Sequence, residues 1–239
     1  MSIASVKPYQ TLLIEECGEP LVPIPLNLFA VESPHPYEKL GADYGGKSPY
    51  FLRQGVLEAL INAQRNLQKD YPRWHILIFD AYRPVSVQQF MVDYTFATVL
   101  QERRLTENNL SPQQRQEIWQ EVYKIWAVAN DNPATPPPHS TGAAVDITLV
   151  DATGKPIDMG GDIDELSDRS HPLYYANSTM AQEQDYHTHR ELLHQVMRAA
   201  GFRRHLGEWW HFSLGDQMWA WLYNQEQPLQ PVIARYGGV

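Results

Sequence analysis

Residues 139–149 read HSTGAAVDITL and join a turn to a strand pattern. From Val145 onward, valine, isoleucine and leucine alternate with Asp146 and Thr148. A period of two places the apolar side chains on one face of a strand and Asp146 on the other. Gly142 and the two alanines after it allow the backbone to turn tightly into this strand. The stretch therefore predicts a core strand whose opposite face presents a carboxylate close to His139.

Further elements are predicted on both sides of this strand. The apolar run WHILIF at 74–79 indicates a second buried strand, which ends in DAYRP at 80–84. Helical spacing and start signals predict helices at 54–68, 87–94, from Ser111-Pro112 onward, at 192–200 and at 216–223. Shorter strands are predicted at 209–212 and after a turn at 151–154. Helices and antiparallel-looking strands mix without βαβ alternation, which indicates the α+β class with an antiparallel sheet flanked by helices.

The composition indicates one domain over residues 1–239. The chain is 43% hydrophobic and 20% charged, which is enough apolar material for one sizeable core. No Pro/Gly/Ser-rich linker divides it. The proline-rich segment 1–50 reads as loops and edge strands, and we expect it to pack on a core at about 75–223.

Charge and cysteine content restrict the partners. The net charge of −9 argues against a nucleic-acid partner, which would require clustered Lys and Arg. No apolar run approaches the roughly 20 residues of a membrane span, and residues 1–8 lack the pattern of a signal peptide. We therefore expect a cytoplasmic protein. Cys17 is the only cysteine, so a disulfide framework and a cysteine-rich zinc site are excluded.

A second polar cluster, EWWH, lies at 208–211. With His139 and Asp146 it supplies two imidazoles, a carboxylate and a spare carboxylate, Glu208. Catalytic zinc requires three protein ligands, an open position for water and a base. On a regular strand Glu208 and His211 would point to opposite faces, so both reach one metal only at a bulge, a twist or a strand start. Gly207 favours a strand start. The two tryptophans either wall the site or pack in the core.

Arg83 has two interpretations. At the end of a buried strand, its guanidinium either binds a substrate oxygen or developing oxyanion, or simply pairs with Asp80. An alternative metal site consists of His187, Glu191 and His194, which share one face of the last long helix. No base or rigid loop accompanies that second set, which favours a solvated helix face.

The motif HSxGxAxD at 139–146, with EWWH at 208–211 and DxYRP at 80–84, resembles the D-alanyl-D-alanine dipeptidases. These belong to a superfamily of zinc DD-peptidases that also includes the LAS-type enzymes and the hedgehog signalling domain. The resemblance implies one zinc ion per chain, with three ligands: His139, Asp146 and His211. It also implies that Glu208 is the general base and then the acid, and that Arg83 binds the scissile carbonyl oxygen.

The loop at 158–164, DMGGDID, looks like the family's Met-Gly-containing loop. Asp164 falls there at the acidic position expected to receive the free ammonium of the substrate. Two departures concern substrate selection rather than the metal. Pro137 replaces a serine of typical dipeptidases, and residues 161–163 read Gly-Asp-Ile where Thr-Pro-Phe is usual.

The function predicted is zinc-dependent hydrolysis of a small peptide, D-alanyl-D-alanine, to free D-alanine by a metal-activated water and a glutamate base. A DD-carboxypeptidase or endopeptidase acting on peptidoglycan peptides is an alternative with the same chemistry in a more open cleft. A different class is a binding domain that retains zinc without catalysis. Glu208 and Arg83 argue against that class, since a non-catalytic site needs neither. The sequence leaves the physiological substrate and the oligomeric state open.

Overall fold

The computed structural model describes residues 7–239. The prediction that no signal peptide is present falls mainly on residues 1–6, which lie outside the described residues. The helices and strands are β1 Leu21–Pro23, β2 Ala30–Val31, α1 Pro36–Lys39, β3 Phe51–Arg53, α2 Gln54–Asp70, β4 His75–Asp80, α3 Val85–Glu102, α4 Pro112–Ile125, β5 Ala144–Val150, α5 Ala181–Ala199, β6 Arg203–Arg204, β7 His211–Ser213 and α6 Gln217–Glu226. Short 3₁₀ helices occupy Pro8–Thr11, Glu107–Asn109, Pro138–Thr141 and Asp168–Ser170.

A five-stranded sheet with the order β2-β4-β5-β7-β6 forms the centre of the molecule. Within it, the strand pairs β4–β5, β5–β7 and β7–β6 are all antiparallel. The edge strand β2 runs parallel to β4, which the sequence did not predict. β1 and β3 form a separate antiparallel pair. The α+β class is confirmed, with one parallel pair added at the sheet edge.

The strand β5 separates the apolar core from the polar face of the sheet. Val145, Ile147 and Leu149 are fully buried in the main core, which also contains apolar side chains of α2 and α5. Burying each such side chain contributes about 1.5–3 kcal/mol to folding. The alternation predicted for β5 is thus observed, and Asp146 faces away from this core. A second apolar cluster lies mainly between α3 and α4.

Two predicted strands differ from the structure. The strand expected after the turn at 151–154 is reduced to one bridge, between Val150 and Pro156, because proline has no N–H to continue a ladder. The aromatic strand expected at 209–212 begins only at His211. Trp209 and Trp210 precede it, and both are buried in the main core.

The N-terminal residues are held beside the C-terminal ones. Tyr9, in the first 3₁₀ helix, packs against Met218 and Leu222 of α6. Further along, Ile14 forms a parallel bridge with Ala234. These contacts hold the segment 7–15 against α6 and the C-terminal residues. Among residues 7–239, no helix is both long and apolar enough to cross a membrane.

Gly142 allows a stability test of the turn into β5. Its φ is +70°, and a Cβ there would lie 2.3 Å from the Leu21 side chain. We expect Gly142→Ala to lower the free energy of unfolding by about 1 kcal/mol for the left-handed backbone and by about 1–3 kcal/mol more for the overlap. Chemical denaturation measures the sum of the two contributions to the free energy of unfolding.

Gly154→Ala is the matched control. Gly154 also has a positive φ, +83°, but nothing lies within 4 Å of a Cβ built there. This variant should lose only the backbone contribution, about 1 kcal/mol. Equal losses in the two variants would contradict the close packing of Leu21 against the turn.

Candidate active site

The pairing of β5 with its neighbours places three polar side chains side by side. Asp146 pairs directly with His211 of β7 and with Asp80 of β4. Directly opposed residues of an antiparallel pair point to the same face of the sheet. The site therefore forms on the face opposite the apolar core, as the alternation of β5 predicted for Asp146.

His139 reaches the same place from the turn before β5. It lies in the 3₁₀ helix Pro138–Thr141, and Gly142 in the left-handed region ends that helix. Its Nδ1 donates to the carbonyl oxygen of Ala81 at 2.8 Å. In the neutral imidazole the other ring nitrogen, Nε2, is then unprotonated. It lies 3.2 Å from Asp146 Oδ2 and 3.1 Å from His211 Nδ1.

His211 is oriented by a second hydrogen-bond chain. Ser213 Oγ donates to Asp216 Oδ2 at 2.9 Å, so it accepts from His211 Nε2 at 3.3 Å. The proton of His211 is then on Nε2, which leaves Nδ1 free, 3.0 Å from Asp146 Oδ1. Such outer partners are what orient the imidazole ligands of metal sites.

The three groups fit a divalent metal ion. Donor atoms of His139, Asp146 and His211 all lie within 4.8 Å of one another, and the residues are buried. Within residues 7–239 no other group of three such side chains is arranged this way. Two imidazole nitrogens and one carboxylate are a ligand set typical of catalytic zinc, which keeps a further position open.

The protonation states largely agree with this role. Burial alone would raise the pKa of Asp146, but His139 and His211 bring it well below its usual range. Burial lowers the pKa of His211. A carboxylate and a neutral imidazole are the forms that bind metal. His139 differs, because the Asp146 charge outweighs burial and raises its pKa.

Glu208 lies beside the ligands because β7 starts late. Since the strand begins at His211, Glu208 lies in the bend before it, and its Oε2 is 4.0 Å from His211 Nδ1. The strand does not start at Glu208, as Gly207 suggested, but three residues later, and Glu208 lies in the irregular segment before it. Burial, together with the charges of Asp146 and Asp164, raises the pKa of Glu208 well above its usual range. A raised pKa suits a carboxyl group that accepts a proton and later returns it.

Arg83 pairs with Asp80, which is one of its two predicted interpretations. Its Nε donates to Asp80 at 2.9 Å, while a terminal nitrogen lies 3.3 Å from Asp146. The rings of Tyr37 and Trp126 lie 5.0 and 4.9 Å from the guanidinium carbon. The pairing with Asp80 therefore fixes the guanidinium next to a metal ligand instead of removing it from the site.

His35 is a site residue that the sequence did not reveal. Its Nε2 lies 3.2 Å from Asp80 Oδ1, and Asp80 Oδ2 lies 3.2 Å from His139 Nδ1. Burial would raise the pKa of Asp80, but Arg83 and these neighbours lower it. The buried Asp80 carboxylate thus orients both His139 and Arg83. The only local signal at His35 is the helix-start pattern His35-Pro36.

Asp164 faces the site from the loop 158–164. Its backbone is left-handed, with φ 65°, and its Oδ2 accepts from the Tyr37 hydroxyl at 2.8 Å. Burial and the charge of Asp146 raise its pKa to about 7. Gly160 allows the loop to fold closely, because a Cβ there would lie 2.4 Å from Tyr186.

All the predicted site residues line one cavity. Its empty volume, mouth included, is about 490 Å³. The lining includes Arg83, His139, Asp146, Asp164, Glu208 and His211, and also Lys7, Tyr9, Lys124 and Trp126. Trp209 and Trp210 do not line it, so their interpretation as core residues is the one observed.

The alternative metal site on α5 is not formed. Glu191 is engaged by Arg204 at 3.0 Å, and His194 Nδ1 lies 3.6 Å from its other oxygen. Among the described residues, His187 does not join this pair in a group whose donor atoms could hold one metal ion.

Most of the chain is similar in sequence to known dipeptidases. The family profile Peptidase_M15, described as D-ala-D-ala dipeptidase, matches residues 31–233. A Synechocystis D-alanyl-D-alanine dipeptidase is 56% identical over 242 residues, which cover 98% of this chain and 97% of that protein. The dipeptidase of the same name from Escherichia coli is 41% identical over 76 residues, covering 32% of this chain and 37% of that protein. The Enterococcus faecium one is 30% identical over 144 residues, covering 59% of this chain and 63% of that protein.

The match includes every candidate site residue, from Arg83 to His211. It begins at Val31, the last residue of β2, and ends after α6, so it includes the other four strands of the five-stranded sheet in full. On this evidence the chain belongs to the D-Ala-D-Ala dipeptidase family, Peptidase_M15.

Proposed function

We propose that this chain is a zinc-dependent dipeptidase that hydrolyses D-alanyl-D-alanine to two molecules of D-alanine. The observation that carries the proposal is the convergence of a metal-ligand set, a buried carboxyl group, a fixed guanidinium and a second acidic group on one cavity. Family membership supports it, and the 56% identical relative bears the name of this activity.

The chemistry needs four contributions from the side chains. His139, Asp146 and His211 hold the zinc ion, which when bound supplies a Lewis acid that polarises the scissile carbonyl and acidifies a water. Glu208 accepts a proton from that water while the oxygen of the water bonds to the carbonyl carbon. It then donates a proton to the leaving nitrogen as the C–N bond breaks. Arg83 donates to the carbonyl oxygen while negative charge develops there.

Asp164 supports the choice of a free dipeptide. Its carboxylate, held by Tyr37, offers an acceptor for the ammonium of the first D-alanine. A longer peptide has an amide in place of this ammonium, and the amide carries no charge to pair with Asp164. The cytoplasmic location, the single-domain organisation and the lack of a nucleic-acid partner stay predictions.

Release of D-alanine from D-alanyl-D-alanine tests the proposal directly. We expect release by the zinc-loaded protein, loss of release with a chelator and recovery on adding zinc, because the ligand set requires a metal. A longer peptide ending in the same dipeptide is the comparison substrate. Faster cleavage of the longer peptide would assign a carboxypeptidase instead, and bound zinc without either activity would contradict the dipeptidase assignment.

Glu208→Ala tests the general base. We expect kcat to fall by about 10²–10⁴-fold, since proton transfer by a positioned side chain contributes that much. Metal content, measured by elemental analysis, should stay at the wild-type level because Glu208 is not one of the proposed ligands. The matched control is Glu191→Ala, which removes a carboxylate from α5 outside the cavity. Near-normal turnover by the Glu208 variant would rule out its role.

Asp164→Asn tests recognition of the ammonium. The substitution keeps the shape but removes the charge, so we expect KM for the dipeptide to rise about 10–100-fold, the worth of a charge-assisted hydrogen bond. N-acetyl-D-alanyl-D-alanine has no ammonium, and its cleavage should change little. An equal loss on both substrates would show that Asp164 acts on the structure of the site instead.

A further inference from the structure

The proposed substrate carries two charged groups, the ammonium assigned to Asp164 and a C-terminal carboxylate that needs its own partner. The inference about this partner rests on the proposed function. Arg83 is not available for it, because its guanidinium already contacts Asp80, Gln88 and Asp146. The proposed function assigns its remaining hydrogen-bonding capacity to the scissile carbonyl. A cation elsewhere in the cavity is required.

Lys7 is positioned to be that cation. It lines the same cavity as Glu208 and the proposed metal ligands, although it lies more than 70 residues before Arg83 in the chain. The 3₁₀ helix Pro8–Thr11 follows it directly, and Tyr9 of that helix is buried against α6. The backbone N–H of Lys7 donates to Gln10 Oε1 at 2.8 Å, which fixes the start of the helix.

The ammonium of Lys7 retains capacity for a ligand. Its Nζ donates to the carbonyl oxygen of Tyr123 at 2.8 Å. An ammonium has three protons, so two are left after this bond. No ion pair joins Nζ to a carboxylate of residues 7–239. Burial lowers the pKa of Lys7 while the charge of Glu208 opposes that change.

The cavity offers one acid and one cation, as the two charged groups of a dipeptide require. Asp164 lines it and accepts from Tyr37, which also accepts from Arg83. Lys7 lines it and donates to Tyr123 of α4.

The direction of the reaction agrees with this arrangement. Glu208 protonates the leaving nitrogen, which belongs to the second D-alanine. The carboxylate of that residue is only two bonds from the nitrogen. It must therefore lie on the Glu208 side of the scissile bond, away from Asp164. We propose that Lys7 binds the C-terminal carboxylate of the dipeptide and so determines specificity for a free carboxyl end.

The test compares D-alanyl-D-alanine with D-alanyl-D-alaninamide, which lacks the negative charge. We expect the wild type to favour the acid by about 10–100-fold in kcat/KM, the range for a hydrogen bond to a charged group. Lys7→Gln should raise KM for the acid by a similar factor, change kcat little and abolish the preference. Lys7→Arg should retain most of it.

Lys124→Gln is the matched control. Lys124 also borders the cavity, but its side chain is exposed and it lies on α4. We expect it to keep the wild-type preference, which separates a specific contact from the general charge of the mouth. A Lys7→Gln variant that keeps the preference, or loses activity equally on both substrates, would overturn the proposal.

Calorimetry in the Glu208→Ala background separates this inference from the proposed function. That background should bind the uncleaved acid more tightly than the amide, and adding Lys7→Gln should remove the difference. A wild type that releases no D-alanine would refute the dipeptidase, whereas this binding comparison still decides the role of Lys7. Equal binding of acid and amide before Lys7 is changed would refute the inference.

Discussion

The pairing register of β5 is the constraint on which the site depends. Asp146 faces His211 on one neighbouring strand and Asp80 on the other only in this register. A slip of one residue would turn Asp146 into the core and bring Val145 or Ile147 to the polar face. Because that would expose apolar side chains and bury a charge without partners, the hydrophobic core itself enforces the geometry of the metal ligands.

Around this register the protein keeps several charges out of water. Asp80, Asp146 and Arg83 are all nearly inaccessible. Burying single charges is costly, and the cost is offset only where each finds close partners. Arg83 contacts both carboxylates, and His35 and His139 contact Asp80 from either side. The network gives Arg83 and His139 fixed partners. Stabilising a developing charge requires donors that are oriented in advance in this way.

The sequence by itself determined the strand alternation and the identity of the polar residues at its turns. Periods of 2 and 3.6 are local properties, so β4, β5, α2 and α6 were predictable within a few residues. The apolar spacing at 87–94 and 192–200 marked only parts of α3 and α5, which extend over Val85–Glu102 and Ala181–Ala199. The motifs around His139, Glu208 and Arg83 were recognisable for the same reason, since each lies within a few consecutive residues. The offset of three between Glu208 and His211 also predicted that a regular strand could not run through both residues, and β7 begins only at His211.

Only the tertiary structure decided which distant segments meet at the cavity. His35, Tyr37 and Lys7 come from the N-terminal part of the chain, where proline and short apolar pieces show no period. Their side chains reach the site because β2 pairs parallel to β4 and because Tyr9 packs on α6. Such contacts join residues far apart in the chain, and their energy depends on packing between elements. No local pattern records it.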